Sequence, residues 1–203
     1  MDLENYKKAW TNQPEEKNKV SAVEIYKMAH ANSSSIVKWI FIIGILEFVI
    51  LNSMYFFFDF KESKETFEKV GLENTFFYSQ ILSYVVLVYF LYQFYLNYKN
   101  ISVLSSTKNL LTKIVKTRKT VRNYIIFNLV YMLIFMVVFT ITMINSSEFN
   151  FNPKQTAIFI GFSIVITTIM IGLIFLFYQL LYGILLRKLK KNYKEISKLE
   201  ELN

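Results

Sequence analysis

Four long apolar runs constrain this chain more than any other feature, because five polar blocks between and beside them hold nearly all of its 23 basic and 15 acidic residues. The runs cover residues 36–58, 75–98, 123–144 and 156–186. Each is longer than the roughly 20 residues that cross a hydrocarbon core of about 30 Å. Lipid offers backbone N–H and C=O groups no partner, so such runs must be helices. The chain is 54% hydrophobic, above the about 45–50% usual in soluble domains. The expected fold is all-α: a polytopic membrane protein, built as a four-helix transmembrane bundle.

Lys and Arg set the expected orientation. Between the second and third runs lie Lys99, Lys108, Lys113, Lys116, Arg118, Lys119 and Arg122, with no acid. After the fourth run come Arg187, Lys188, Lys190, Lys191, Lys194 and Lys198. The segment between the first and second runs instead carries Asp59, Glu62, Glu65, Glu68 and Glu73 against three lysines. The positive-inside bias then puts both termini and residues 99–122 in the cytoplasm. An even number of crossings also requires the termini to share a side. The expected location is a bacterial inner membrane, crossed several times. The net charge of +8 falls beside apolar spans, where topology and anionic lipid at the cytoplasmic face account for it, so no nucleic-acid partner is expected. No charged stretch leads into a short apolar core within the first 35 residues, so no cleavable signal peptide is expected. Trp39, Tyr55, Tyr78, Tyr98, Tyr124 and Tyr182 lie near run ends, where interfacial anchors belong, whereas Tyr84, Tyr89 and Tyr131 fall inside runs and require hydrogen-bond partners.

The first, third and fourth helices are expected to outrun the lipid into the cytoplasm. Asn152 is placed to cap the fourth, with Pro153 at its first position. Past residue 186, Leu189, Tyr193, Ile196 and Leu199 recur every three or four residues, an amphipathic pattern over the tail 187–203. Ser105 or Ser106 can cap the third, and Leu111, Ile114, Val115 and Val121 form a stripe before its apolar run. Ser21 with Glu24 makes a capping box ahead of Ile25, Met28 and Ala29. These extensions either pack into a cytoplasmic layer or lie separately on the membrane surface. The arm 1–35 also carries Tyr6 and Trp10 upstream of Pro14, which can dock on this layer, on lipid or on a partner. Lys113, Lys116, Arg118, Lys119 and Arg122 are the expected lipid or partner contacts of the basic segment.

Within the fourth run, Gly161, Gly172 and Gly183 recur every 11 residues, as do Ala157, Thr168 and Gln179. Eleven residues are nearly three turns, so these positions form one small-or-polar stripe drifting about 20° per step. Its small-xxx-small spacings suit a helix-packing seam, a homodimer contact, or a groove.

Glu47 is the one ionisable residue deep inside a run. A carboxylate at a helix centre costs roughly 2.5–3.5 kcal/mol on insertion scales. Protonation or hydrogen bonding removes much of that cost. Counted from the run ends, Thr167 and Thr168 reach a similar depth, and Gly44 lies one turn away. Glu47 is thus either a proton or cation site, with Thr167 and Thr168, or a neutral structural acid. Small multidrug exporters also use a lone glutamate in their first span, a likeness of architecture alone. Asn128 and Gln80 read as interhelical hydrogen-bond partners.

No motif for an enzyme appears. Cysteine is absent and His30 is the sole histidine, no metal-ligand spacing or phosphate-binding glycine loop occurs, and no cofactor is expected. Several stretches carry a resemblance: Trp10-Thr-Asn-Gln-Pro, Val23-Glu-Ile-Tyr-Lys-Met, Ser33-Ser-Ser-Ile-Val-Lys-Trp39, Ile101-Ser-Val, Ser106-Thr-Lys and Thr117-Arg-Lys-Thr-Val121. Together they resemble an uncharacterised family of small bacterial four-span α-helical membrane proteins. That family tends to lie beside genes for extracytoplasmic-function sigma factors, which implies a regulatory role and a cytoplasmic regulatory partner. Some members are called β-carotene monooxygenases. The resemblance does not carry that chemistry here, since the carotenoid-cleaving enzymes the name evokes hold iron with four histidines on a β-propeller. The expected function is a non-enzymatic membrane protein with a cytoplasmic interaction surface; the alternative is a small proton-coupled transporter or channel component using Glu47.

Overall fold

A computed structural model describes residues 22–57, 61–102 and 107–201. The described residues are helical, without strands. They form α1 (Ala22–Phe57), α2 (Lys61–Lys69), α3 (Glu73–Ser102), α4 (Thr107–Asn145), α5 (Pro153–Tyr178), a π-helical turn (Gln179–Gly183) and α6 (Ile184–Glu201). Four helical stretches are long and apolar enough to cross a bilayer. This is the architecture of a multi-pass membrane protein.

Local chemistry sets the ends. Asn152 accepts from the Gln155 backbone N–H, while the Gln155 side chain accepts from the Asn152 N–H, and Pro153 follows the cap. From there the chain stays helical through the π turn into α6. At 1.5 Å per residue this rod is about 70 Å long, more than twice a hydrocarbon core. α2 ends where Gly71 turns left-handed at φ 75°. The Leu72 N–H then donates to the Phe67 carbonyl and the Gly71 N–H to the Glu68 carbonyl, the paired bonds of a glycine-terminated helix.

α1 and α3 pack along each other, α4 packs on α3, and α5 packs on α4. α6 then lies against both α1 and α4. Burial is uneven along this bundle. At the end that carries residues 107–122 and 187–201, here the basic end, Ala29, Val37, Ile101, Leu110, Ile114, Leu189 and Ile196 form a continuous core. Away from it, Val49, Ile50, Val85, Val88, Ile134, Val137, Phe162 and Val165 point outward. Soluble proteins rarely expose contiguous apolar surface on this scale; a surface of this kind suits lipid tails.

The stretches that run past the apolar spans pack together rather than standing apart. Buried Asn192 donates to the Ser33 hydroxyl at 3.1 Å, tying α6 to α1. Asn97 donates to Thr120 at 3.2 Å, tying α3 to α4. His30 Nε2 meets the Ile101 carbonyl at 2.9 Å, a contact that requires the Nε2–H tautomer. His30 is thereby occupied in joining α1 to α3. Leu111 and Val121 are buried as their stripe predicts, but Val115 faces outward. Tyr6, Trp10, Ser21, Ser105 and Ser106 lie outside the described residues, as does the Tyr55 side chain.

The glycine stripe requires a correction. Ala157, Gly161, Thr168, Gly172 and Gln179 are exposed, and a Cβ added at Gly161 or Gly172 would meet nothing within 4 Å. They form no packing seam within the chain. α5 instead turns Phe159, Ser163, Ile166, Thr167 and Ile174 inward. Ser163 lies two residues, about 200° of rotation, from Gly161, so the stripe faces away from α4. Gly183 alone of the stripe is buried. A Cβ there would sit 2.9 Å from the Gln179 carboxamide, so glycine at this position lets Gln179 fold along the π turn.

Candidate functional site

Glu47 sits on the inward stripe of α1. Val37, Ile40, Gly44 and Glu47 recur every three or four residues and, with Ile36, are all buried. Gly44 brings α3 close: a Cβ on it would lie 3.0 Å from Leu91 and 3.2 Å from Phe94. A larger residue would push α3 away and open the side of the Glu47 pocket.

Two tyrosines meet the carboxyl. Tyr178, the last residue of α5, donates to one oxygen at 2.8 Å. Tyr182, in the π turn, donates to the other at 3.2 Å. Tyr124 of α4 faces the same group and lies beside Asn128. Its ring is 5.8 Å from Tyr178 and 6.2 Å from Tyr182. Phe90 and Phe94 of α3 close the cluster edge-on to Tyr124, at 5.2 and 5.6 Å. Glu47 is 7% exposed and Tyr182 fully buried. The result is an acid of α1 in a five-ring aromatic box drawn from α3, α4, α5 and the π turn.

Both protonation states fit this geometry. A carboxylate accepts from the two hydroxyls; a neutral acid offers its own O–H and still accepts. The group is satisfied without a counter-ion, which is how a lone acid avoids the full cost of burial. The π turn adds weight, since such wide turns are rare and often lie at functional sites. Among the described residues no group of three His, Asp or Glu side chains could hold a metal ion.

The sequence-based partners of Glu47 are displaced. Thr168 is exposed, and its hydroxyl donates to the Ile164 carbonyl within α5. Thr167, beside it, lies more than two turns from Tyr178. Depth counted from run ends assumes that each run just fills the lipid, and the fourth run is too long for that. Tyr124 and Tyr182 are not interfacial anchors either: they are buried against Glu47. Trp39 and Tyr78 do face outward. Asn128 donates to the Tyr124 carbonyl of its own helix, not to another helix. Of the three tyrosines inside runs, Tyr89 faces outward, whereas half-buried Tyr84 donates to Asn52 at 2.7 Å and half-buried Tyr131 to the Ser79 carbonyl at 2.7 Å.

Those groups line a cavity of about 330 Å³ between α1, α3 and α4, with Gln80 and Ser83 in its wall. Its lowest α1 residue, Leu51, is one turn from Glu47. The cavity lies towards the acidic end, opposite the packed layer.

Residues 23–201 match a domain of unknown function, DUF8845. The chain belongs to this family. The DUF8845 region takes in Glu47, the five rings, the π turn and the packed basic end. No curated protein and no solved structure matches this DUF8845 member.

Proposed function

We propose that this chain is a non-enzymatic bacterial inner-membrane protein that holds a packed, basic helical layer in the cytoplasm as a docking surface for a regulatory protein. The packing of α1, α3, α4 and α6 beyond the apolar spans carries the reading. Such a layer is more than a set of loops, since it has its own core and polar ties. Its outer face is strongly cationic: Lys108, Lys116, Lys119, Arg122, Arg187, Lys188, Lys190, Lys191, Lys194 and Lys198 are all exposed. Only one ion pair, Lys191 with Glu195 at 3.8 Å, neutralises any of this charge among the described residues. A partner with an acidic face fits it. The positive-inside bias supports placing it in the cytoplasm.

The test is crosslinking in living cells from a photoreactive residue at Thr112 or Lys194, with Lys64 at the opposite end as control. One discrete protein adduct from both layer positions, and none from Lys64, is expected. Lipid adducts alone from Thr112 and Lys194 would rule the reading out.

A second reading rests on Glu47 and the polar cavity one turn above it: the acid exchanges protons with the acidic side. Reconstituted in liposomes, wild type should release or take up one proton per chain as external pH is stepped, and Glu47→Gln none. Identical traces would make the acid structural.

A further inference from the structure

A second cavity, of about 460 Å³, lies where α4 meets α5 and the start of α6. Arg118, Lys119 and Arg122 line its α4 side, with Val115 one turn before them and Leu186 of α6 also in the wall, and Gln179 of the π turn lines it as well. The three cations pair with no acid among the described residues. The remaining wall is apolar, chiefly Ile126, Leu129 and Phe175. Along α4 the lining therefore changes from cationic to greasy within two turns, at the point where the third apolar run begins. Gln179 reaches this wall because Gly183 leaves its carboxamide room.

We propose that this cleft binds one anionic phospholipid. Arginine forks grip phosphate through paired N–H donors, and Lys119 adds a flexible third cation. Gln179 supplies an amide N–H for phosphate or ester oxygens. One acyl chain then lies along Ile126, Leu129 and Phe175, burying apolar surface that faces no protein. Free phosphate would use only the cationic end, and an acidic protein helix would leave the greasy wall unused. A lipid matches both halves. The bound lipid would also bridge α4 and the π turn, and so brace the element that carries Tyr182. This inference shares Lys119 and Arg122 with the cationic face proposed above, but it rests on the lining of the cleft and its test needs no protein partner.

Native mass spectrometry of delipidated protein in mixed micelles, with equimolar phosphatidylglycerol and phosphatidylcholine, tests it. Wild type should retain one phosphatidylglycerol, preferred by roughly tenfold or more, given three interfacial cations. The variant R118Q/K119Q/R122Q should lose the preference. K188Q/K194Q/K198Q, which removes the same charge from exposed α6 positions, should keep it. Leu129→Trp, which leaves every cation in place but fills the wall, should also weaken retention. Equal retention of both lipids by wild type would overturn the proposal. So would an equal loss in the α6 variant, which would mean a diffuse field, or full displacement by millimolar glycerol phosphate, which would mean a free-anion site.

Discussion

Tyr182→Ala is expected to destabilise the folded protein by about 3 kcal/mol. The ring is fully buried and packs 6.3 Å from Phe94, 6.2 Å from Tyr124 and 6.1 Å from Tyr178. In lipid the unfolded helices are already out of water, so transfer from water contributes little. The loss comes from the cavity and from leaving one Glu47 oxygen without its donor. Tyr182→Phe keeps the ring and removes only the hydroxyl. It should cost about 1 kcal/mol, the usual range for one hydrogen bond between membrane helices. Tyr89→Ala provides the control, because Tyr89 faces outward and should be nearly neutral. Denaturation by sodium dodecyl sulfate in mixed micelles, followed by circular dichroism, separates the three. A Tyr182→Ala curve that overlays Tyr89→Ala would mean that the aromatic box does not hold the bundle together.

The four crossings are legible in the sequence because lipid imposes a simple code. Apolar length alone identifies a span, and Asn152-Pro153 marks the start of the fourth. The extensions are legible for a different reason. Leu189 and Ile196 repeat at helical spacing beyond the fourth apolar run, among lysines, where an apolar stripe has no purpose unless something covers it, and both are fully buried. Asn192, on the same face, is also buried, and spacing of apolar residues cannot reveal a polar member of a core. α2 was hidden because a nine-residue, highly charged segment has no apolar period to read; its stop signal, Gly71, is the one clue.

Glu47 stands out in the sequence, but its partners do not. Three of the box residues are tyrosines, and two of them, Tyr124 and Tyr182, lie near the ends of apolar runs, where tyrosine is common for interfacial reasons. Sequence position gave Tyr124 and Tyr182 that role. A distinguishing signal exists in Tyr178 and Tyr182, four apart on one face, with Gly183 next to them. The glycine stripe shows the opposite failure. Its period is real, yet periodicity names a face without naming what that face meets, and α5 turns it outward. Small residues facing lipid leave a second copy of this chain as one occupant that fits.

If the four apolar stretches cross a bilayer and leave the packed basic layer on the cytoplasmic side, as we propose, cysteine labelling reads it out directly. Because the chain contains no cysteine, single cysteines report without background. Thr112 in α4 and Lys194 in α6 sample the basic end; Lys64 in α2 and Glu148, between α4 and α5, sample the other. All four are exposed. In intact spheroplasts, a membrane-impermeant maleimide should label cysteine at 64 and 148 to completion and leave 112 and 194 untouched until the membrane is permeabilised. Labelling of 112 or 194 before permeabilisation, or equal labelling of all four, would contradict this topology.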